Sequence, residues 1–68
     1  MEREVIEILS EYLSPQAAAN LLARAKARLT PTTPQDWARL LEGPLWEELR
    51  AILPFREMPP GLKALVRR

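Results

Sequence analysis

The 68-residue sequence contains no cysteine and no histidine. The lack of cysteine excludes disulfides, and the lack of both residue types removes the usual protein ligands of zinc. A chain of about this length buries only about 60% of its unfolded surface, so its margin of stability is thin. Close helix packing or association with another protein remains to stabilise it. We expect one small domain over residues 1–68.

The same two absences leave few components for catalysis. Mechanisms built on histidine or cysteine are excluded, and the hydroxyl side chains have no suitable base nearby. The adjacent carboxylates of Glu47 and Glu48 would diverge on a helix instead of converging on one atom. Asp36 is the single aspartate, so no Asp-rich calcium loop is present. We expect no enzyme, no catalytic residue, no metal, no cofactor and no small-molecule substrate.

The sequence also lacks a long hydrophobic run and a strong charge imbalance. Ten basic residues against nine acidic ones give a net charge of +1, which favours neither nucleic acid nor a membrane surface. No uncharged apolar run approaches the ~18 residues of a membrane-spanning helix, and the acidic start MEREVIE does not resemble a signal peptide. We expect a cytoplasmic protein without membrane contact. Its seven prolines, few glycines and many glutamates are typical of heat-stable proteins.

The main feature of the sequence is helical periodicity that is interrupted by prolines. Apolar residues recur at three- and four-residue spacing, and no segment alternates with the period of a strand. Ser14 and Thr33 are N-cap residues that each precede a proline suited to the first helical position. The sequence therefore predicts an all-α fold, a compact bundle of four to five short helices joined by proline-rich turns. The predicted helices span residues 2–13, 15–29, 34–42, 44–53 and about 60–68.

The apolar faces of these helices predict the core. Trp37 belongs to such a face, whereas Trp46 lies at the edge of one, where a tryptophan can contribute to both a core and an interface. Phe55 and Met58, in the proline-rich segment after the fourth helix, are predicted to fold back over the core. The inward residues predicted for the first and fourth helices are Val5, Ile8, Leu9, Tyr12, Leu13, Leu45, Leu49, Ile52 and Leu53.

Charge and aromatic anchors indicate contact with another protein. The first helix has four glutamates against one arginine, and the second has three basic residues and no acidic one. This asymmetry would orient the two helices antiparallel or steer two copies of the chain together. We expect a protein partner or a homodimer that docks on helix faces. The residues predicted to bind it are Arg24, Arg28, Trp46, Phe55 and Met58.

Nucleic acid is the alternative partner, because two basic clusters could contact phosphates and short consecutive helices suggest a helix-turn-helix. Against this, the third and fourth helices carry acidic residues where such a motif presents groups to the bases. The connector TPTTP is also longer and stiffer than the usual turn. A solvated face paired with acids of the chain or of another subunit is the simpler interpretation. The two clusters are Arg24, Lys26 and Arg28, and Lys63, Arg67 and Arg68.

A resemblance extends over residues 9–25, in the pattern LxxYLxPxAxxxLLxRA. It is similar to a small helical module attached to bacterial signalling and regulatory proteins, in which a helix ends at a Gly-Pro turn and an Ala/Leu/Arg helix follows. Ser14 stands here where that module has glycine. The resemblance implies an interaction or regulatory role, with no reaction, ligand or functional residue.

Overall fold

The computed structural model describes residues 1–67 and contains five α-helices within them. No strand occurs in this part of the chain, so the predicted all-α bundle of short helices joined by proline-rich turns is confirmed. The Cα radius of gyration is 10.6 Å, close to the roughly 11 Å of a compact domain of this length. The last helix ends at Val66 with Arg67 as its C-cap, short of its predicted end, and Arg68 lies outside the described residues. The helices are α1 (Glu2–Leu9), α2 (Pro15–Arg28), α3 (Pro34–Glu42), α4 (Pro44–Ile52) and α5 (Pro60–Val66).

Proline occupies the first turn of α2, α3, α4 and α5, where its missing N–H costs nothing. The Ser14 hydroxyl accepts a hydrogen bond from the Ala17 N–H at 3.2 Å. The Thr33 hydroxyl accepts one from the Asp36 N–H at 3.1 Å. Both predicted N-caps are therefore confirmed. In a capping box, the Asp36 carboxylate would accept a hydrogen bond from the N–H of the N-cap residue, Thr33. Here it accepts hydrogen bonds from Thr32 instead, one residue earlier.

The predicted extent of α1 is wrong, because the helix ends at Leu9. The next four residues continue as turns, in which the Tyr12 N–H donates to the Leu9 carbonyl at 3.0 Å, three residues back. The Ser10 hydroxyl donates to the Ile6 carbonyl at 2.7 Å, and Ser14 is extended with ψ 155° before its proline. This tighter winding rotates Tyr12 out of the predicted core, and its side chain is 40% exposed.

Ile52 is the second residue wrongly assigned to the core, since it is 49% exposed. It is the last residue of α4, and Leu53 after it is already extended, with φ −121° and ψ 147°. The final turn of α4 therefore lies at the rim of the bundle. Because the helix stops there, Ile52 is left partly exposed at the end of α4. Leu53 itself is half-buried, and it packs against the core as expected.

The helices form a ring around one aliphatic core. Helix α2 packs against α1 and α4, α3 packs against α4 and α5, and α5 closes the ring by contacting α1. No polar or charged residue is buried among those described. Trp37, Phe55 and Met58 are half-buried and pack against the core from outside, in agreement with the predicted fold-back of the last two. The buried residues are Val5, Leu9, Ala18, Leu21, Leu22, Ala25, Leu40, Leu41, Leu45, Leu49, Leu62 and Leu65.

Gly43 is the one residue between α3 and α4, and it sets the direction of α4. Its N–H donates to the Arg39 carbonyl at 2.8 Å, and its backbone has φ −105° and ψ −103°. A Cβ at this position would lie 2.9 Å from that same carbonyl oxygen. The joint therefore depends on the absence of a side chain, because the close neighbour is backbone and cannot rotate away.

Candidate functional site

Three aromatic side chains form a row on the surface, with Phe55 in the middle. The ring centroids of Tyr12 and Phe55 are 5.1 Å apart with the planes at 89°, an edge-to-face contact. Those of Trp46 and Phe55 are 6.2 Å apart and stacked, with the planes at 27°. Both geometries are favourable for aromatic pairs. We call Tyr12, Phe55 and Trp46 the aromatic row.

Arg50 covers the Trp46 end of the aromatic row. Its guanidinium carbon lies 5.8 Å from the centroid of the Trp46 ring, within the range of a cation–π contact. The two residues are four apart on α4, which places them on neighbouring turns of one helix face. Arg50 is exposed and Trp46 is half-buried, so this end of the row is open to solvent.

The row is assembled by a tight turn after α4. The Phe55 N–H donates to the Leu53 carbonyl at 2.9 Å across Pro54, which reverses the chain direction. Phe55 is thereby brought back to Trp46 in the first turn of α4. The turns that follow α1 supply Tyr12. The row thus joins α4 and the turn that follows it to Tyr12, which is far from both in the sequence.

Arg24 and Arg28, both predicted to bind a partner, make ion pairs within the chain. An Arg24 Nη lies 3.7 Å from a carboxylate oxygen of Glu48, and Arg28 donates to Glu47 at 3.0 Å. The two arginines project from α2 and the two glutamates from α4, and we call these four residues the paired face. Both arginines remain more than half exposed, at 59% and 51%.

The other members of the basic clusters are spread over the molecule. Lys26 near the end of α2 pairs with Glu2 at the start of α1, so the predicted antiparallel packing of these helices is confirmed. Lys63 pairs with Glu57 at 3.4 Å. Arg67 is exposed, and Arg68 lies outside the described residues. Helix α2 packs between α1 and α4, whereas α5 packs between α1 and α3. The described residues of the two clusters therefore belong to, or directly follow, helices that are not neighbours in the ring.

Met58 is separate from both surfaces. It lines an open cavity of about 230 Å³ against α5, together with Glu42, Lys63, Val66 and Arg67. Of the five residues predicted to bind a partner, the structure therefore brings together Trp46 and Phe55, and separately Arg24 and Arg28. Tyr12 belongs to the row and Arg50 covers its Trp46 end, and neither residue was predicted to bind a partner. The four-residue spacing of Trp46 and Arg50 was a visible signal, whereas the position of Tyr12 depends on where α1 ends.

Asp36, at the start of α3, has a pKa below its usual value. The hydroxyl and the N–H of Thr32 donate to its carboxylate at 2.8 and 3.2 Å, and these bonds favour the charged form. Contacts with Thr33 lower the pKa further, while partial desolvation opposes them. The carboxylate therefore caps the start of α3.

Two kinds of site are not formed by the described residues. Nowhere in residues 1–67 do three or more Asp and Glu side chains come together as they would around a metal ion. Within the same residues, no helix has the length and apolar character needed to cross a membrane.

No protein-family model, no curated protein and no solved structure matches the chain. The resemblance of residues 9–25 to a helical module of bacterial signalling proteins therefore stays a prediction. The candidate site is defined by its geometry: an aromatic row at one edge of α4, and the paired face on the side of α4 that packs against α2.

Proposed function

We propose that this protein is a small interaction or regulatory module that binds a partner protein through the aromatic row and acts without catalysis. The main support for this proposal is that the row lies on the surface of the bundle. Three aromatic side chains and an arginine share a surface, and these residue types dominate the binding energy of protein interfaces. The core, by contrast, is built from aliphatic side chains alone. Complete burial of Tyr12, Phe55 and Trp46 is therefore not required for the bundle to close.

The proposed mode of binding is docking on a helix face. The partner lies along the edge of α4 that carries Trp46 and Arg50, and reaches Tyr12 after α1. Arg24 acts at the periphery, because its 3.7 Å contact with Glu48 is longer than a hydrogen bond and its side chain is 59% exposed. It can exchange Glu48 for a carboxylate of the partner. Such peripheral charges affect orientation and association rate more than affinity.

Site-specific photo-crosslinking in the native cell tests this proposal. A photoreactive phenylalanine analogue at Tyr12 should give a discrete crosslinked product, because the ring is exposed at one end of the row. The same analogue at Ala64, exposed on α5, is the matched control. The product should disappear when Trp46→Ala is added. Equal labelling from both positions, or no protein product from position 12, would contradict the proposal.

Binding of nucleic acid has less support. Arg24, Lys26, Arg28 and Lys63 each pair with a carboxylate of the same chain, so a phosphate would have to displace an existing partner. The described residues of the two clusters also belong to α2 and α5 or directly follow α5, and these helices are not neighbours in the ring. Titration with duplex DNA at low salt should show no binding with the steep salt dependence of phosphate contacts.

We also propose that the protein is cytoplasmic and heat-stable. The support for stability is the proline at the start of four helices. A proline whose φ fits the native structure reduces the entropy of the unfolded chain. Thermal unfolding followed by circular dichroism should have a midpoint above the ~45–65 °C of mesophilic domains. A midpoint within that range would remove this part of the proposal.

A further inference from the structure

The residues that flank the two ends of the aromatic row have opposite charges. Glu11 directly precedes Tyr12 and is exposed, and Arg50 lies against Trp46 at the other end. Within residues 1–67, neither Glu11 nor Arg50 forms an ion pair, in contrast to the arginines of the paired face. Among residues 1–67, the row is thus an apolar strip flanked by an acid without an ion pair at the Tyr12 end and a base without one at the Trp46 end.

Such a strip is complementary to itself. A two-fold axis through Phe55 places the Tyr12 end of one copy on the Trp46 end of a second copy. Glu11 of each copy then meets Arg50 of the other, and the aromatic rings of both copies meet between these pairs. A symmetric two-fold interface requires this kind of self-complementarity, because each contact occurs twice.

We propose that the aromatic row is a homodimer interface, in which two copies of the chain pair antiparallel about Phe55 through reciprocal Glu11–Arg50 contacts. This inference rests on the proposed function of the row as a docking surface. A partner of uniform charge would be repelled at one end of the row. A second copy of the chain presents both charges in the required order, and its aromatic side chains cover the apolar strip between them.

The exposed area indicates that this dimer is reversible. The chain exposes 4489 Å², and a folded monomer of its mass is expected to expose about 4400 Å². Each copy is therefore as compact as a monomer of its mass, and we expect the dimer to form between folded chains. An interface of standard size covers roughly 800 Å² per partner, less than a fifth of this surface. We therefore expect monomer–dimer exchange that depends on protein concentration.

Charge reversal measured by sedimentation equilibrium tests the arrangement. The wild-type chain should form dimers at high micromolar concentration. Glu11→Arg and Arg50→Glu should each weaken self-association at least about tenfold, because each creates two like-charge contacts per dimer. An equimolar mixture of the two variants should restore association to near the wild-type level. In that mixed dimer, Arg at position 11 meets Glu at position 50, and Glu11 meets Arg50.

Two matched controls change the same charges outside the row. Glu42→Arg and Arg39→Glu alter exposed residues of α3 that form no ion pair among the described residues. Both should leave self-association unchanged. Circular dichroism melts of all four variants verify that they are folded, so that a loss of dimer is not a loss of structure.

The outcomes separate this inference from the proposed function. A wild-type chain that remains a 7.8 kDa monomer at high micromolar concentration overturns the homodimer. So does a mixture of the two row variants that fails to associate, or equal weakening by the α3 controls. If the chain is monomeric but the analogue at Tyr12 still crosslinks a different protein, the homodimer is wrong and the docking function of the row stands.

Discussion

The paired face and the aromatic row both include residues of α4, yet their charged side chains differ in how they are paired. On the paired face, Arg28 meets Glu47 of the same chain at 3.0 Å. At the row, Arg50 lies over an aromatic ring and forms no ion pair within residues 1–67. Arg28, a member of the basic cluster on α2, thus already has a charge partner within the chain. Arg50 on α4 forms no such pair within residues 1–67, so its charge is available to a partner.

The difference arises from what packs beside each edge of α4. Helix α2 lies against one edge, and the four-residue spacing of Arg24 and Arg28 presents both to Glu47 and Glu48. The edge at Trp46 faces a turn and the end of α1, which supply aromatic rings but no carboxylate bonded to Arg50. A cluster of like charges in a sequence therefore indicates a binding surface only after the neighbouring helix is known.

The largest expected effect comes from Leu49→Ala, because Leu49 is fully buried on α4 beneath both surfaces. Its truncation should lower the free energy of unfolding by about 2–5 kcal/mol, out of the roughly 3–10 kcal/mol expected for a domain of this length. Urea unfolding followed by circular dichroism measures this. Ala51→Ser, at an exposed position of the same helix, should change stability by no more than about 0.5 kcal/mol. Similar losses from both variants would contradict the assignment of the core.

Gly43→Ala should come next, since it displaces the start of α4 and with it both surfaces. The added Cβ would lie 2.9 Å from the Arg39 carbonyl oxygen, and a clash of this kind costs about 1–3 kcal/mol. Gly61→Ala is the matched comparison, because its nearest neighbours would be side-chain atoms of Ile8 at 3.2–3.3 Å, which need to move by only a few tenths of an ångström. Alanine also favours the helix there by about 1 kcal/mol. We expect a clear loss of stability at position 43 and almost none at position 61, and a reversed order would show that the joint is not constrained.

A smaller effect should distinguish the two charge arrangements directly. A double-mutant cycle on Arg28 and Glu47 should give a coupling of about 0.2–1 kcal/mol in the stability of the monomer, decreasing with added salt. The same cycle on Glu11 and Arg50 should give no coupling in dilute monomer and should show it only in self-association. Coupling between Glu11 and Arg50 in the monomer would mean that the chain itself pairs them.

The helices were largely predictable because their signals are local. Each N-cap and proline pair, such as Ser14–Pro15, fixes a helix start within a few residues, and periodicity supplies the buried face. The errors concern the ends of helices. Residues after Leu9 have the apolar spacing of a helix but wind more tightly, which exposes Tyr12. Ile52 has inward spacing but lies where the helix stops.

The candidate site was predictable only in part. Trp46 was expected at the edge of an apolar face, and it is half-buried there. The stacking of Phe55 on Trp46 depends on the turn at Pro54, and the engagement of Arg28 depends on α2 and α4 being neighbours. Neither is encoded at a fixed spacing in the sequence. Contacts between distant segments are decided by packing, so composition and periodicity alone do not reveal them.

The smallest expected effect concerns Asp36, whose carboxylate accepts hydrogen bonds from its own turn and forms no ion pair within residues 1–67. Its pKa is lowered on folding by Thr32, so its contribution to stability is present above the pKa of the unfolded state, about 3.9 for Asp, and is lost as the pH falls through the lowered folded value. Asp36→Asn should be slightly less stable than wild type at neutral pH, and the two should converge in acid. Thr32→Val should raise the pKa of Asp36 in an NMR titration. A stability difference that persists unchanged in acid would show that the Asn substitution acts by changing packing and not by removing this charge.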